Sequence, residues 1–178
     1  MTYYSGKDLG RSFMTVRKNT IQIANEIPEE KYQFRATPDT RTVAETLQHI
    51  TANPTWQHRL HGQDKKTFVS FEDFGAYTAA ASAYGETLTS KAAILKALET
   101  DGASFAAWLE SLNDAMLSEI VSFPDPTNLP AKTRFEMLLG VKEHEMHHRA
   151  QLMLIQRHLG LVPHMTRART ARQAPART

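Results

Sequence analysis

The stretch Glu143-His144-Glu145-Met146-His147-His148-Arg149-Ala150-Gln151 holds three of the chain's eight histidines. It lies inside a run, from about Arg134 to Leu159, whose apolar residues recur at helical spacing. A helix turns about 100° per residue, so His144 and His148 stand one turn apart on one face, within about 40° of each other. Met137, Val141, Leu152, Ile155 and Leu159 share that face, which turns the pair inward. His147 lies about 60° to one side.

Imidazoles at i and i+4 are neighbours on a helix and can reach one metal ion, and neutral imidazole suits zinc, nickel, copper and iron. The bland alternative is a pair of buried histidines bonded to ordinary partners. For a lone inward histidine that alternative is the better one. For a pair it is weaker, because two imidazoles without a shared partner are costly to bury. His144-Glu145-x-x-His148 also spells the zincin peptidase signature, with the glutamate as general base. A zincin needs a further protein ligand downstream, yet no Asp or Glu follows Glu145, and Leu154 stands where a metzincin has its third histidine. Glu145 is also about 100° around the helix from His144, on the side expected to lie off the core.

At 178 residues with 41% hydrophobic and 22% charged residues, the chain reads as one globular domain. No apolar run approaches the ~18 residues of a membrane span, and Met1 to Asp8 lacks the apolar core of a secretory signal. With no cysteine, thiolate nucleophiles, thiolate metal sites and disulfides are excluded, and the cytoplasm is the default expectation. The net charge is +2, but Arg167, Arg169, Arg172 and Arg177 sit in an acid-free end segment, leaving the body mildly acidic. Such a tail gives only weak, salt-sensitive attraction to nucleic acid, so neither nucleic acid nor membrane is an expected partner.

Leu9, Phe13, Val16, Ile23 and Ile27 mark a first helix that Pro28 stops. Thr42-Val43-Ala44-Glu45 is a capping box opening a second, with Val43, Leu47 and Ile50 as its stripe, His49 near its end and Pro54 as a kink or restart. Residues 62–85 show weak periodicity and read as a long connection over the mouth of a site. From about Thr89 a third helix carries Leu95, Leu98, Phe105, Trp108 and Leu112. A short helical segment, Asp114 to Ile120, leads to Phe123-Pro124-Asp125-Pro126, which cannot be regular helix. Thr133 to Glu136 caps the last long helix, and Gly160 closes it. Residues 1–163 are thus expected as one all-α bundle of four long helices with long crossover connections, and residues 164–178 as a disordered basic tail. His58 and His61, beside the breaker Gly62, are expected to be exposed, and His158 and His164 lack a partner at ligand spacing. In a bundle, metal sites are built from facing helices, which makes His49 the candidate third ligand although periodicity alone does not aim it inward.

Ile27 to Arg35, the stretch Thr42 to Ile50 ending Leu47-Gln48-His49-Ile50, and Glu143 to Leu152 together resemble the DinB/YfiT-like family of metal-binding four-helix bundles, over roughly residues 7–163. The resemblance implies an up-down-down-up bundle, commonly a homodimer. Its three-histidine site for zinc, nickel or another divalent ion carries over to His49, His144 and His148. It also implies thiol-dependent transferase or isomerase chemistry on a small molecule, with a small thiol supplied as cofactor. Three imidazoles around an open metal position make transfer of a low-molecular-weight thiol the first expectation and hydrolysis by metal-activated water the next. A non-enzymatic metal-binding stress-response dimer is the alternative, and a metallopeptidase the remotest. Ala150 stands where many members have glycine. His147, Glu145 and Gln151 are weak catalytic candidates: His147 at the rim, Gln151 within about 20° of His144 and so able to bond a ligand.

Overall fold

A computed structural model describes residues 4–124 and 130–173. α1 (Gly6–Glu26) begins at a capping box in which the Ser5 side chain accepts from the Asp8 amide and the Asp8 carboxylate accepts from the Ser5 amide. It starts earlier than its apolar stripe because Gly6 and Gly10 bury backbone instead of side chain. A Cβ at Gly6 would stand 2.5 Å from the carbonyl oxygens of Leu109 and Leu112. α2 (Val43–His58) opens at the Thr42/Glu45 box and runs through Pro54 without ending, continuing into a π-helical turn, Arg59–Gln63.

The expected connection over 62–85 is mostly a helix, α3 (Phe71–Glu86), with its own capping box from Ser70 and Asp73. Its buried residues are Tyr77, Ala81 and Gly85, spaced four apart. Small residues let α3 lie close on α2, with a Cβ at Gly85 only 3.3 Å from the Gln48 carbonyl, but they contribute little to an apolar pattern. α4 (Lys91–Ser111) and the short α5 (Asp114–Ser118) follow. A two-residue strand β1 (Ile120–Val121) pairs antiparallel with β2 (Lys132–Thr133) and leads into α6 (Arg134–His158). The expected irregular segment at Asp125-Pro126 lies outside the described residues.

Helix directions follow from the contacts. Arg17 meets Leu98 and Gly6 meets Leu109, so α1 and α4 are antiparallel. Arg17 meets Glu145 and Glu26 meets Gln156, so α1 and α6 are parallel. His49 meets His144 on α6, and both Asn53 and Gly140 border one cavity farther along, so α2 runs against α6. The bundle of α1, α2, α4 and α6 is therefore up-down-down-up, with α3 laid outside α2 as part of the crossover. Two apolar clusters fill it, one around Leu9, Phe13, Phe105 and Leu138, the other around Ile23, Leu47, Leu98 and Leu152. Buried polar residues, Arg17, Thr20, Glu145 and His148, occupy the level between them.

Two further expectations change. Residues 164–173 form α7 (His164–Gln173), anchored where His164 Nε2 meets Asn19 Oδ1 at 3.0 Å and Arg167 meets Glu26 Oε1 at 2.6 Å. The partners lie on α1, about 140 residues away, which no local pattern reveals; residues 174–178 of the expected tail lie outside the described residues. His61 is fully buried, its Nδ1 3.0 Å from Arg134 Nη1, because the chain continues as a π turn past the expected helix end. His164, which has no partner at ligand spacing, is buried beside Asn19. Among the described residues no helix is long and apolar enough to cross a membrane.

Candidate metal centre

The antiparallel α2 and α6 bring His49 against His144 and His148. His144 Nε2 lies 2.9 Å from His49 Nε2 and 3.2 Å from His148 Nε2. Ligands about 2.05 Å from one ion, at angles between 90° and tetrahedral, stand about 2.9–3.4 Å apart, so these separations fit a shared cation. Among the described residues no fourth histidine or carboxylate joins the group.

Burial holds the imidazoles in the neutral form that binds metal. It pulls His49 and His144 down to about 4, and lowers His148 as well. The Arg41 guanidinium, at the approach to α2, pushes all three in the same direction, next after burial for His49. Gln151 sets the geometry of His148. Its Oε1 lies 2.8 Å from His148 Nδ1 and its Nε2 3.3 Å from His147 Nε2. His148 Nδ1–H therefore donates to the carboxamide oxygen, which leaves the Nε2 lone pair facing the other two histidines. His147 is exposed at the rim and holds Gln151 from the other side. His144 Nδ1 is buried with no partner among the described residues.

Glu145 is placed differently from expectation. It is 2% exposed, with Arg17 Nε 3.1 Å from both carboxylate oxygens and Nη2 2.9 Å from one. The reason is that α6 is covered on two sides: α2 lies over the histidine face, and α1 with α4 over the face about 100° away. Its carboxylate is engaged away from the histidines, so the general-base role of a zincin has no group to fill it.

Two cavities border the centre. One of about 630 Å³ touches His49 and is lined by Arg35, Arg41, Glu45 and α3. The other, about 350 Å³, lies between α2 and α6 and touches His144. Arg41 and Gln57 were not singled out by sequence reasoning, whereas Asn53 was expected on the His49 side of α2 if the helix passed Pro54. Asn53 and Gln57 follow His49 at i+4 and i+8, a spacing that puts all three along one side of α2 and was available as a signal.

A helical bundle with a three-histidine cluster across two antiparallel helices defines the class. The DinB superfamily model matches residues 12–152, and the chain belongs to that superfamily. Among solved structures it is similar to YfiT from Bacillus subtilis, described as a probable metal-dependent hydrolase with an unusual four-helix bundle topology. The identity is 14%, over 90% of this chain and 91% of that one, with a TM-score of 0.66. Comparison with curated proteins finds no sequence match.

Proposed function

We propose that this protein is a divalent-metal-dependent hydrolase of small molecules, with zinc or nickel held by His49, His144 and His148. The convergence of three neutral imidazole nitrogens at the border of two cavities carries this reading. Three protein ligands with room for water or substrate are the pattern of catalytic rather than structural zinc, which favours an enzyme over a purely structural metal site. A metal bound there supplies Lewis acidity and a water of lowered pKa. The chain's own residues prepare the site. Burial keeps the imidazoles unprotonated, Gln151 fixes the His148 tautomer, and Arg41 adds positive potential at the His49 side. The description of YfiT supports the same reaction class.

The test is elemental analysis of the purified protein beside His49→Ala, His144→Ala and His148→Ala, followed by hydrolysis assays on the loaded forms. About one ion per chain, lost in each variant, together with metal-dependent turnover of small esters or amides, is the expected result. Metal retained without His49 overturns the site. Turnover that appears only when a low-molecular-weight thiol is added replaces hydrolysis by thiol transfer, since the chain has no thiol of its own. Our reading of the assembly is a homodimer, in keeping with the exposed Met146 and Leu154 on α6, and sedimentation tests it.

A further inference from the structure

The cavity of about 630 Å³ opens beside His49, and five charged side chains line it: Arg35, Asp39, Arg41, Glu45 and Glu86. Four of them are already engaged. Glu45 Oε2 accepts from the Thr42 amide at 2.7 Å and lies 3.5 Å from Arg35 Nη2. Asp39 accepts from the Thr37 hydroxyl at 2.6 Å, and Glu86 from the Ser82 hydroxyl at 3.3 Å. Arg41 is the exception: among the described residues its guanidinium makes no hydrogen bond and no ion pair. It is an exposed residue, yet its charge reaches Glu45 and all three imidazoles, so it is close to the metal centre as well as on the cavity wall.

The centre adds to that positive potential. Its three ligands are neutral, no carboxylate joins them among the described residues, and Glu145 is held by Arg17. A divalent ion bound there keeps a charge that its ligands do not offset. An anionic group is the matched occupant of the space beside Arg41, and the neighbouring acids limit how much charge it carries. A doubly charged phosphate would meet three carboxylates with one free guanidinium to hold it. A carboxylate brings a single charge and fits the planar fork of that guanidinium through two parallel hydrogen bonds.

We propose that Arg41 selects substrates that are themselves carboxylic acids: its guanidinium holds a carboxylate of the substrate in the His49 cavity, with the scissile amide or ester between that group and the histidines. The reaction rests on the hydrolase reading above; the carboxylate site rests on Arg41 and the cavity. In hydrolysis of an amide, the oxygen of water joins the acyl carbon and the carbon–nitrogen bond breaks. One proton of water goes to the leaving amine and the other stays with the new acid.

The experiment compares N-benzoylglycine with its neutral counterpart, N-benzoylglycinamide. Both are titrated into the full-length protein by NMR, metal-free and zinc-loaded, with elemental analysis of every sample, and benzoate release is followed in the loaded ones. The metal-free protein is expected to bind the acid about fivefold more tightly than the amide, the upper end for an ion pair open to water. The preference narrows as ionic strength rises past about 0.1 M. Arg41→Gln abolishes it, and Arg41→Lys, which keeps the charge but not the fork, retains only part. Metal content and Tm stay at the parent values in both variants, because Arg41 makes no bond that holds the fold. Acid and amide bound equally or not at all by the metal-free parent, or an acid preference that survives Arg41→Gln, overturns the proposal. An Arg41-dependent preference without benzoate release from the loaded protein strikes the hydrolase reading and leaves the carboxylate site standing. Benzoate released equally fast from both compounds, and unaffected by Arg41→Gln, does the reverse.

Discussion

Replacing Glu145 separates a structural role from a catalytic one. Arg17 is completely buried and Glu145 nearly so, and three guanidinium–carboxylate contacts of 2.9–3.1 Å join them. Among the described residues the remaining Arg17 hydrogen bond is Nη1 to the Leu98 carbonyl at 3.2 Å, with the guanidinium also 5.0 Å from the centroid of the Phe13 ring. Glu145→Ala therefore strands a buried guanidinium with one backbone acceptor, and breaking such a pair costs about 3–5 kcal/mol. Unfolding entropy of about 2.1 cal/mol/K per residue over 178 residues is ~0.37 kcal/mol/K, so the expected fall in Tm is about 8–13 °C. The double variant Arg17→Met/Glu145→Leu removes both charges and should recover most of the loss, because an apolar replacement of a buried pair is often neutral. The assay is thermal and urea unfolding followed by far-UV circular dichroism in the presence of EDTA, so that metal binding adds nothing to the native state. Parallel samples without EDTA are analysed for metal. A Glu145→Ala variant that melts within about 2 °C of the parent but loses metal or hydrolytic activity refutes the structural assignment. It would return Glu145 to the reaction centre.

Three other outcomes follow from the packing. Burial and then the Arg134 charge hold His61 down to about 3, from an ordinary 6.5, so between those values the unfolded chain binds a proton that the folded chain does not. Its contribution to stability is complete above pH 6.5 and falls by about 1.4 kcal/mol per pH unit below it; urea midpoints of His61→Phe should show a shallower decline from pH 7 to 5 than the parent. Gly6→Ala places a methyl 2.5 Å from two carbonyl oxygens and should destabilise by about 1–3 kcal/mol, whereas Gly140→Ala, open to solvent or cavity, should stabilise by about 1 kcal/mol. Calorimetry of the two checks both signs. Gln151→Leu frees the His148 tautomer and should weaken metal affinity about 10–100-fold with little change in Tm of the metal-free protein, read by competition with a chelating dye.

The bundle was legible because four long amphipathic patterns, the Thr42/Glu45 capping box and the Thr133 cap, which lacks the expected reciprocal bond from Glu136, state their own local structure. The Thr42/Glu45 box and the i, i+4 pair His144/His148 place their residues without help from distant chain. α3 was not legible in the same way. Its contact face is Tyr77, Ala81 and Gly85, where close backbone approach replaces apolar bulk, and neither alanine nor glycine stands out in a periodicity.

The sequence by itself determined the helix that carries His144 and His148, their shared face, and the absence of any thiol chemistry from the chain's own residues. These are properties of covalent identity and of a 100° step per residue. Only the tertiary structure decided that His49 meets the pair, since its distance from them depends on α2 running against α6 at the matching level. The same packing decided against Glu145 as a base, because a partner 128 positions away, Arg17, claims its carboxylate. Local sequence sets the direction of a side chain from its own helix axis; what stands opposite is set by the neighbouring helix.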